Sequence, residues 1–270
     1  MSIEEIAAKW CLKENNKQAS VDMWNSMAQS FGGHKLPSFE DSSFLQLLQK
    51  NKMFNNNSTV LDVGCGTGSY ALAIASWCKE AVGVDLSPKM IEIAREKATE
   101  ENITNVDFRC LDWHEFDLKQ AGFEKKFDLV FAHMTPAVQS VDTFQKLTSA
   151  SKGWCVLSKP IRRTDPVSDA VKKLVGITEK RESSDTDILY AFDLLWQQGL
   201  SPYFEYEQQC WDMEKTPEEA YGLYINRVKT YRNISLKEEQ KIKLYLQSIE
   251  KNGLICESVD TTITTLYWHV

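Results

Sequence analysis

The run of residues 60–70, VLDVGCGTGSY, constrains the fold of this chain more than any other segment. An apolar stretch leads through three alternating glycines, Gly64, Gly66 and Gly68, into small residues suited to a helix. Glycines in such a turn allow the backbone to come close to a ligand. A second apolar run, residues 81–85, ends in Asp85, which is placed to accept hydrogen bonds from both hydroxyls of a ribose. The two segments together predict a strand, turn and helix that bind a nucleoside.

The glycine spacing distinguishes between classes of nucleoside. Dinucleotide folds use G-x-G-x-x-G, because a pyrophosphate must reach backbone N–H groups at the start of the helix. Here the third glycine comes one residue early, and Ser69 stands where that pattern has glycine or alanine. Asp62, just ahead of the turn, would repel a pyrophosphate but attract an ammonium group. The pattern therefore favours a nucleoside without phosphates and disfavours a nicotinamide-dependent oxidoreductase.

An acid followed by G-x-G-x-G resembles the first motif of the class I S-adenosylmethionine-dependent methyltransferases of the small-molecule type. The resemblance covers residues 55–160 well and implies S-adenosyl-L-methionine as the cofactor. It implies that Asp112 accepts a hydrogen bond from the adenine amino group while the main chain at Trp113 meets the ring edge. The alternative is that Asp112 opens a turn and Trp113 belongs to the core. The implied cofactor-binding residues are Asp62, Gly64, Cys65, Gly66, Gly68, Tyr70, Asp85, Leu86, Asp112, Trp113 and Ala132.

Further apolar runs predict the architecture. Residues 106–113, 127–132 and 153–158 are strand candidates, and the last two are continuously apolar, as expected where helices cover both faces of a parallel sheet. The expected fold class is α/β, with a doubly wound, mostly parallel, seven-stranded Rossmann-like sheet. By the resemblance, the final two strands pair antiparallel at one end of that sheet.

The flanks of the core predict a helical cover over the site. The expected division is an N-terminal helical lid at 1–54, the cofactor-binding core at 55–211, a helical insertion at 212–253 and the final strand at 254–270. Thr216 and Ser235 each precede an acid by three residues, a helix-start signature. Because a lid suits a small substrate, these helices favour a small-molecule methyl acceptor. A macromolecular acceptor and a non-catalytic protein that binds the cofactor or its demethylated product remain alternatives.

The charge, the apolar runs and the cysteine content of the chain limit the classes of partner and the compartment that we expect. A formal net charge of −7 and a pI near 5.3 argue against nucleic acid as a partner, because phosphate-backbone binding depends on a basic face. The N-terminus lacks signal-peptide features, and no long uncharged apolar run predicts a membrane span. The seven cysteines are scattered without a C-x-x-C pair, which predicts a reducing compartment and no metal site. We therefore expect a cytoplasmic protein without a membrane partner.

His133 is the candidate catalytic residue. It lies just past the fourth predicted strand, where the resembling family places residues that touch the methyl acceptor. An imidazole that titrates near neutrality can take a proton from a hydroxyl or a thiol. The alternative is a structural role in which His133 holds the loop before Pro136.

Overall fold

The computed structural model describes residues 1–12, 16–177 and 184–270, without the side chain of residue 184. Its seven strands form one sheet in the order β3-β2-β1-β4-β5-β7-β6. The strands are β1 (Thr59–Val63), β2 (Glu80–Asp85), β3 (Val106–Cys110), β4 (Phe127–His133), β5 (Ser151–Ile161), β6 (Tyr203–Lys215) and β7 (Ile255–His269).

The sheet is parallel from β3 to β5 and antiparallel at its other end. Strand β1 pairs with β2 and with β4, and β5 pairs with β4, all in parallel. Strand β7 enters between β5 and β6 and runs antiparallel to both. The expectation of a doubly wound, mostly parallel seven-stranded sheet is therefore confirmed. The carboxyl ends of the five parallel strands meet at one edge, where open α/β sheets bind their ligands.

Ten helices are described. They are α1 (Ile3–Lys9), α2 (Lys17–Gly32), α3 (Ser43–Lys50), α4 (Ser69–Ala75), α5 (Pro88–Glu100), α6 (Val141–Ala150), α7 (Pro166–Leu174), α8 (Ser184–Gln197), α9 (Pro217–Lys229) and α10 (Leu236–Ile249). The capping boxes expected at Thr216 and Ser235 are present. Each hydroxyl accepts a hydrogen bond from the backbone N–H of the glutamate three residues on, and the carboxylate of that glutamate accepts a hydrogen bond from the backbone N–H of the capping residue. Such caps contribute about 1 kcal/mol each, which sets where the two helices begin.

Helices cover both faces of the sheet, and each face has its own core. On one face α1, α6 and α8 pack onto side chains such as Val130 and Leu157. On the other, α3, α4 and α5 pack onto Leu129, Phe131 and Val156. Neighbouring residues of β4 thus point to opposite cores, because side chains alternate along a strand. This is why the fourth strand is apolar at nearly every position.

A third apolar cluster joins α7, α9 and α10, and Met23 and Met27 of α2 pack against it. We call these four helices the helical cap. One of its links to the sheet is Glu257 of β7, a buried carboxylate that accepts a 2.8 Å hydrogen bond from the N–H of Val167 and a 2.6 Å hydrogen bond from the hydroxyl of Tyr224. A buried carboxylate held by such donors is stabilised at the start of α7.

Two of the expected boundaries are wrong, and helix α7 was not expected. Strand β6 continues to Lys215, which lies opposite Ile255, so residues 212–215 belong to the sheet and not to the insertion. Strand β3 ends at Cys110, because the chain beyond it turns around Asp112. Helix α7 was missed, since its Pro166 start follows a strand that is longer than its apolar run.

Within the described part of the chain, no helix combines the length and apolar character needed to cross a membrane. The same residues contain no group of three or more histidine, cysteine or acidic side chains that could hold a metal ion. All seven cysteines are free thiols, and Cys78 and Cys155 are buried as small apolar residues.

Candidate cofactor and acceptor site

The glycine loop lies between β1 and α4, at the carboxyl edge of the sheet. Gly64, Gly66 and Gly68 all have positive φ, at 70°, 54° and 76°. A Cβ on Gly64 would come within 1.9 Å of Oγ1 of Thr135, and a Cβ on Gly68 within 2.5 Å of the Phe108 ring. A Cβ on Gly66 would meet nothing within 4 Å. Gly64 and Gly68 therefore allow close internal packing, whereas Gly66 borders open space that a ligand can enter.

Asp85 at the end of β2 is fastened to that loop. Its Oδ2 accepts a 2.9 Å hydrogen bond from the N–H of Gly66, and its Oδ1 accepts a 2.8 Å bond from the N–H of Ser87. Each carboxyl oxygen keeps a further lone pair for another donor. Burial raises the pKa of Asp85, and the backbone hydrogen bonds oppose that rise. The structure therefore fixes the orientation of a carboxylate that still has accepting capacity.

Asp62 lies on β1 beneath the glycine loop and is only 4% exposed. Burial raises its pKa well above the usual range, the charge of Asp85 adds to the rise, and the N–H of Ala71 opposes it. Two carboxyl groups near one another favour a cation beside them. The neighbouring Cys65 is half-buried, and burial also raises its pKa, so its thiol stays protonated.

Asp112 and Trp113 follow β3 in a turn. Oδ1 of Asp112 accepts a 3.0 Å bond from the N–H of His114, and its Oδ2 lies 2.7 Å from Nζ of Lys17. The Trp113 indole is 3% exposed and donates a 3.0 Å bond to the carbonyl of Thr143. The Asp112 side chain therefore caps a turn and the Trp113 side chain lies in the core, as the alternative to adenine binding predicts. The carboxylate of Asp112 remains at the edge, shared with a lysine.

Leu86 and Ala132 contribute to the edge in different ways. Leu86 follows Asp85, is half-buried, and its carbonyl accepts a bond from the thiol of Cys110. Ala132 is fully buried and lies opposite Leu157 in the parallel ladder. Its side chain belongs to the core, so only its main chain is available near a ligand.

His133 is the last residue of β4 and lies between two aromatic rings. Its ring centroid is 4.0 Å from that of Phe44 and 4.5 Å from that of Tyr70. Nδ1 of His133 is buried and has no hydrogen-bond partner among the described residues. Burial lowers the pKa of His133 to about 3, so the imidazole is neutral at physiological pH. A neutral imidazole accepts a hydrogen bond well but holds a proton poorly.

A cavity of about 260 Å³ opens beside His133, between α3 and strands β6 and β7. Its apolar lining comes from Phe44, Leu47 and Ile263. Its charged lining comes from Lys50, Glu205 and Glu207. Tyr70, which touches His133, stands in the first turn of α4 directly after the glycine loop. The cavity therefore adjoins the glycine loop through the touching rings of His133 and Tyr70.

Comparison with known proteins agrees with this geometry. The model of a methyltransferase domain family matches residues 54–227, which include the glycine loop, Asp85, Asp112 and His133. The chain belongs to this family of S-adenosylmethionine-dependent methyltransferases.

Individual relatives match shorter segments of the methyltransferase. The tRNA (uracil-5-)-methyltransferase homolog A of Homo sapiens is 41% identical over 64 residues, which are 24% of this chain and 10% of the human protein. The malonyl-[acyl-carrier protein] O-methyltransferase of Acetivibrio thermocellus is 41% identical over 78 residues, 28% of this chain and 25% of that protein. The aligned segments thus span a quarter or less of these two relatives.

Among solved structures, a phosphoethanolamine N-methyltransferase 2 from Haemonchus contortus superposes with a TM-score of 0.50. The two proteins share 18% sequence identity, and the match covers 90% of this chain and 56% of the other. That protein is in complex with phosphomonomethylethanolamine and S-adenosylhomocysteine. At this identity the similarity concerns the fold alone.

The residues at the edge of the methyltransferase sheet fit S-adenosyl-L-methionine as the cofactor. Gly66 leaves open space, Asp85 offers two oriented acceptor atoms, and the buried Asp62 favours a cation. None of these features requires a phosphate. The cofactor that the resemblance implies is confirmed by the match to the methyltransferase family.

Helix α2 crosses this edge of the methyltransferase. Lys17 at its start contacts Asp112, and Asn25 in its middle accepts bonds from the hydroxyl of Ser87 at 2.7 Å and the N–H of Lys89 at 3.3 Å. Sequence reasoning missed both α2 residues, because nothing in a helix of mixed polarity marks the side chains that reach a distant strand. It also missed the charged residues of the cavity. The alternating pattern of β6 was the available signal, since it places 205 and 207 on one face.

Proposed function

We propose that the protein transfers a methyl group from S-adenosyl-L-methionine to a small-molecule acceptor. The observation that carries this proposal is the open space at Gly66 beside the oriented carboxylate of Asp85. The family supports the cofactor, and the relatives named above include a methyltransferase for a carrier-bound malonyl group and one for tRNA. The choice of a small acceptor is our own and rests on the elements around the edge.

Each cofactor-binding residue has a role that its surroundings support. Asp85 accepts hydrogen bonds from the ribose hydroxyls, and Gly66 allows the backbone to approach the ligand. The pKa of Asp62 is raised by burial and by Asp85, and a neighbouring ammonium group would lower it again and so be paired with a charged Asp62. Asp112 would accept a hydrogen bond from the adenine amino group, in competition with its ion pair to Lys17. Tyr70, directly after the glycine loop, would offer an aromatic face that favours the positive charge of a sulfonium. The remaining members of the site, Gly64, Cys65, Gly68, Leu86, Trp113 and Ala132, shape its walls and supply main-chain contacts.

The chemistry depends mainly on positioning. The bound cofactor supplies a methyl group already activated by its sulfonium. A lone pair of the acceptor forms a bond to the methyl carbon, while the electrons of the broken carbon–sulfur bond stay on sulfur and the acceptor releases its proton to water or a base. Holding the reactants in line can lower the barrier by about 7 to 11 kcal/mol. Methyl transfer in this site therefore does not require an acid–base pair.

A small acceptor is favoured by the elements around the edge. Helix α2 packs on the rest of the helical cap through Met23 and Met27, and it also contacts Asp112 and Ser87 in the segments that follow β3 and β2, so it restricts access from outside. The cavity beside His133 has a volume of about 260 Å³, near the lower end of ligand pockets. The net charge of −7 opposes a nucleic acid.

His133 orients the acceptor in this proposal. Its neutral ring is held between Phe44 and Tyr70, so it accepts a hydrogen bond from an acceptor hydroxyl, thiol or amine without reorganising. A pKa of about 3 makes it a weak proton acceptor, which favours orientation over general-base catalysis.

Calorimetry with S-adenosyl-L-methionine, its demethylated product and NAD tests the cofactor part of the proposal. Binding of the first two without NAD binding is the expected result, and tight NAD binding alone would refute it. Incubation of the labelled donor with pools of phenols, thiols, amines and carboxylates, and separately with tRNA, tests the acceptor. Transfer to tRNA alone would contradict a small acceptor. Cofactor binding without transfer to any pool would indicate a non-catalytic binding protein.

A further inference from the structure

Glu207 is the feature of the cavity that most restricts its ligand. Its Oε2 accepts a hydrogen bond from the hydroxyl of Ser43, and its Oε1 accepts a 2.8 Å bond from Nε2 of Gln209. Both donors are neutral. Among residues 1–12, 16–177 and 184–270, no basic side chain lies within ion-pair distance of Glu207, although it is half-buried. Its negative charge is thus oriented but not compensated.

The second carboxylate of the cavity is differently placed. Oε1 of Glu205 lies 3.7 Å from Nζ of Lys50, and both side chains are exposed, at 48% and 76%. That pair is therefore a weak one at the rim, where solvent screens it. With Glu205 and Glu207 set against Lys50, the charged lining carries one excess negative charge.

The remainder of the cavity wall is apolar or neutral. Phe44, Leu47 and Ile263 provide aromatic and aliphatic surface, and the His133 ring carries no charge at neutral pH. The field of Glu207 extends across this space, since after burial it is one of the influences that raise the pKa of Tyr70. A carboxylate in such surroundings is stabilised most by a cation that brings its own apolar surface.

We propose that this cavity binds a small molecule in which an ammonium group is attached to an apolar body about the size of one ring. The ammonium pairs with Glu207, and the body lies against Phe44 and Ile263. This assignment rests on the proposed function, because it takes the cavity as the acceptor site of the methyltransferase. It leads to an acceptor class, a cationic amine-bearing molecule, beyond what the family implies.

An anionic ligand is the competing chemistry, and Lys50 would be its partner. Lys50 is mostly exposed and lies beside Glu205, so an anion there would be screened by water and repelled by two carboxylates. A cation at Glu207 is instead attracted by a carboxylate that is less exposed to solvent. The half-buried carboxylate has only neutral donors, and the charge-assisted bond that it would form is strengthened by the apolar wall.

A set of three ligands of nearly equal size tests the proposal: benzylamine, benzyl alcohol and benzoate. Their affinities are measured by ligand-observed NMR on the protein saturated with S-adenosylhomocysteine and again without it. We expect benzylamine to bind about tenfold more tightly than benzyl alcohol, and benzoate to bind most weakly. Glu207→Gln keeps an oxygen for the Ser43 hydroxyl but should abolish the preference. Glu214→Gln, on the same strand and outside the cavity lining, should retain it.

A third variant guards against a folding defect in Glu207→Gln. Lys50→Gln removes a mostly exposed cation from the lining and should strengthen benzylamine binding a few-fold. Binding of benzoate as tight as that of benzylamine, or a preference unchanged in both Glu207→Gln and Lys50→Gln, would overturn the proposal. Normal S-adenosylhomocysteine binding without an amine preference would refute this inference alone. An amine preference without S-adenosylhomocysteine binding would refute the proposed function instead.

Discussion

Replacement of Asp85 tests the cofactor site most directly. The carboxylate is already oriented by the N–H groups of Gly66 and Ser87, so it reaches the ligand without further ordering. Two ribose hydroxyls that donate to a charged group contribute about 1.5 to 3 kcal/mol each. Asp85→Asn retains the shape and one acceptor oxygen but loses the charge. We expect a loss of about 3 kcal/mol in cofactor binding, or roughly a hundredfold in Kd.

Calorimetric titration with S-adenosylhomocysteine measures this loss, and a pair of simpler ligands assigns its cause. Adenosine has both ribose hydroxyls, whereas 2′,3′-dideoxyadenosine has neither. Asp85→Asn should weaken adenosine strongly and dideoxyadenosine only slightly, because the second ligand makes no hydroxyl contact to lose. An equal loss for both ligands would refute the reasoning and show that Asp85 acts by holding the glycine loop.

Asp107 supplies the matched control. It lies on β3, is half-buried, and pairs with Arg109 of the same strand at 2.7 Å. Asp107→Asn removes an equal charge from a neighbouring strand without touching the loop. Its Kd for adenosine should match that of the unmodified protein, and a comparable loss would mean that net charge alone governs binding.

Three further changes have expected outcomes. Gly66→Ala and Gly122→Ala both place a Cβ at positive φ with no other atom within 4 Å, so each should lower the free energy of unfolding in urea by about 1 kcal/mol. Only Gly66→Ala should abolish cofactor binding in calorimetry, since Gly122 lies outside the glycine loop. Lys17→Ala frees the carboxylate of Asp112, so adenosine should bind a few-fold more tightly in stopped-flow titration; weaker binding would assign Lys17 a direct contact. Because the unfolded imidazole of His133 protonates below its ordinary pKa of 6.5 and the buried one only near 3, the unmodified protein should lose about 3 kcal/mol more stability than His133→Phe from pH 7 to pH 4. Equal losses in urea titrations at both pH values would contradict the lowered pKa.

The parts of the fold that could be predicted are those whose determinants lie close together in the chain. The glycine loop and Asp85 belong to one strand–helix–strand unit, and the hydrogen bond between Gly66 and Asp85 joins residues 19 positions apart. The capping boxes at Thr216 and Ser235 are shorter still. In each case a local pattern specifies the element, so the periodicity and spacing of a single sequence are sufficient to predict it, although the bond from Gly66 to Asp85 was not itself predicted.

The features that were not predicted depend on distant contacts. The pKa of His133 is lowered because Phe44 of α3 and Tyr70 of α4 bury its ring. The sequences of these two helices do not indicate that they pack on this strand end. Lys17 contacts Asp112 from α2, whose position depends on its packing against the apolar cluster of α7, α9 and α10. Strand β6 outlasts its expected end because β7 continues to pair with it as far as Lys215. Tertiary packing decides each of these features.

This division follows the two halves of the site. The glycine loop and Asp85 lie within one strand–helix–strand unit, whereas the hydrogen bond between Ser43 and Glu207 that shapes the cavity joins residues 164 positions apart. A substitution in β6 or α3 can therefore change the charge of the cavity while the glycine loop stays as it is. Because Glu207 is hydrogen-bonded to Ser43 and Gln209 and not to the glycine loop, variants at Glu207 should alter acceptor binding without altering cofactor binding. Under the proposed function, methyl donation and the choice of acceptor would then depend on separable parts of the chain.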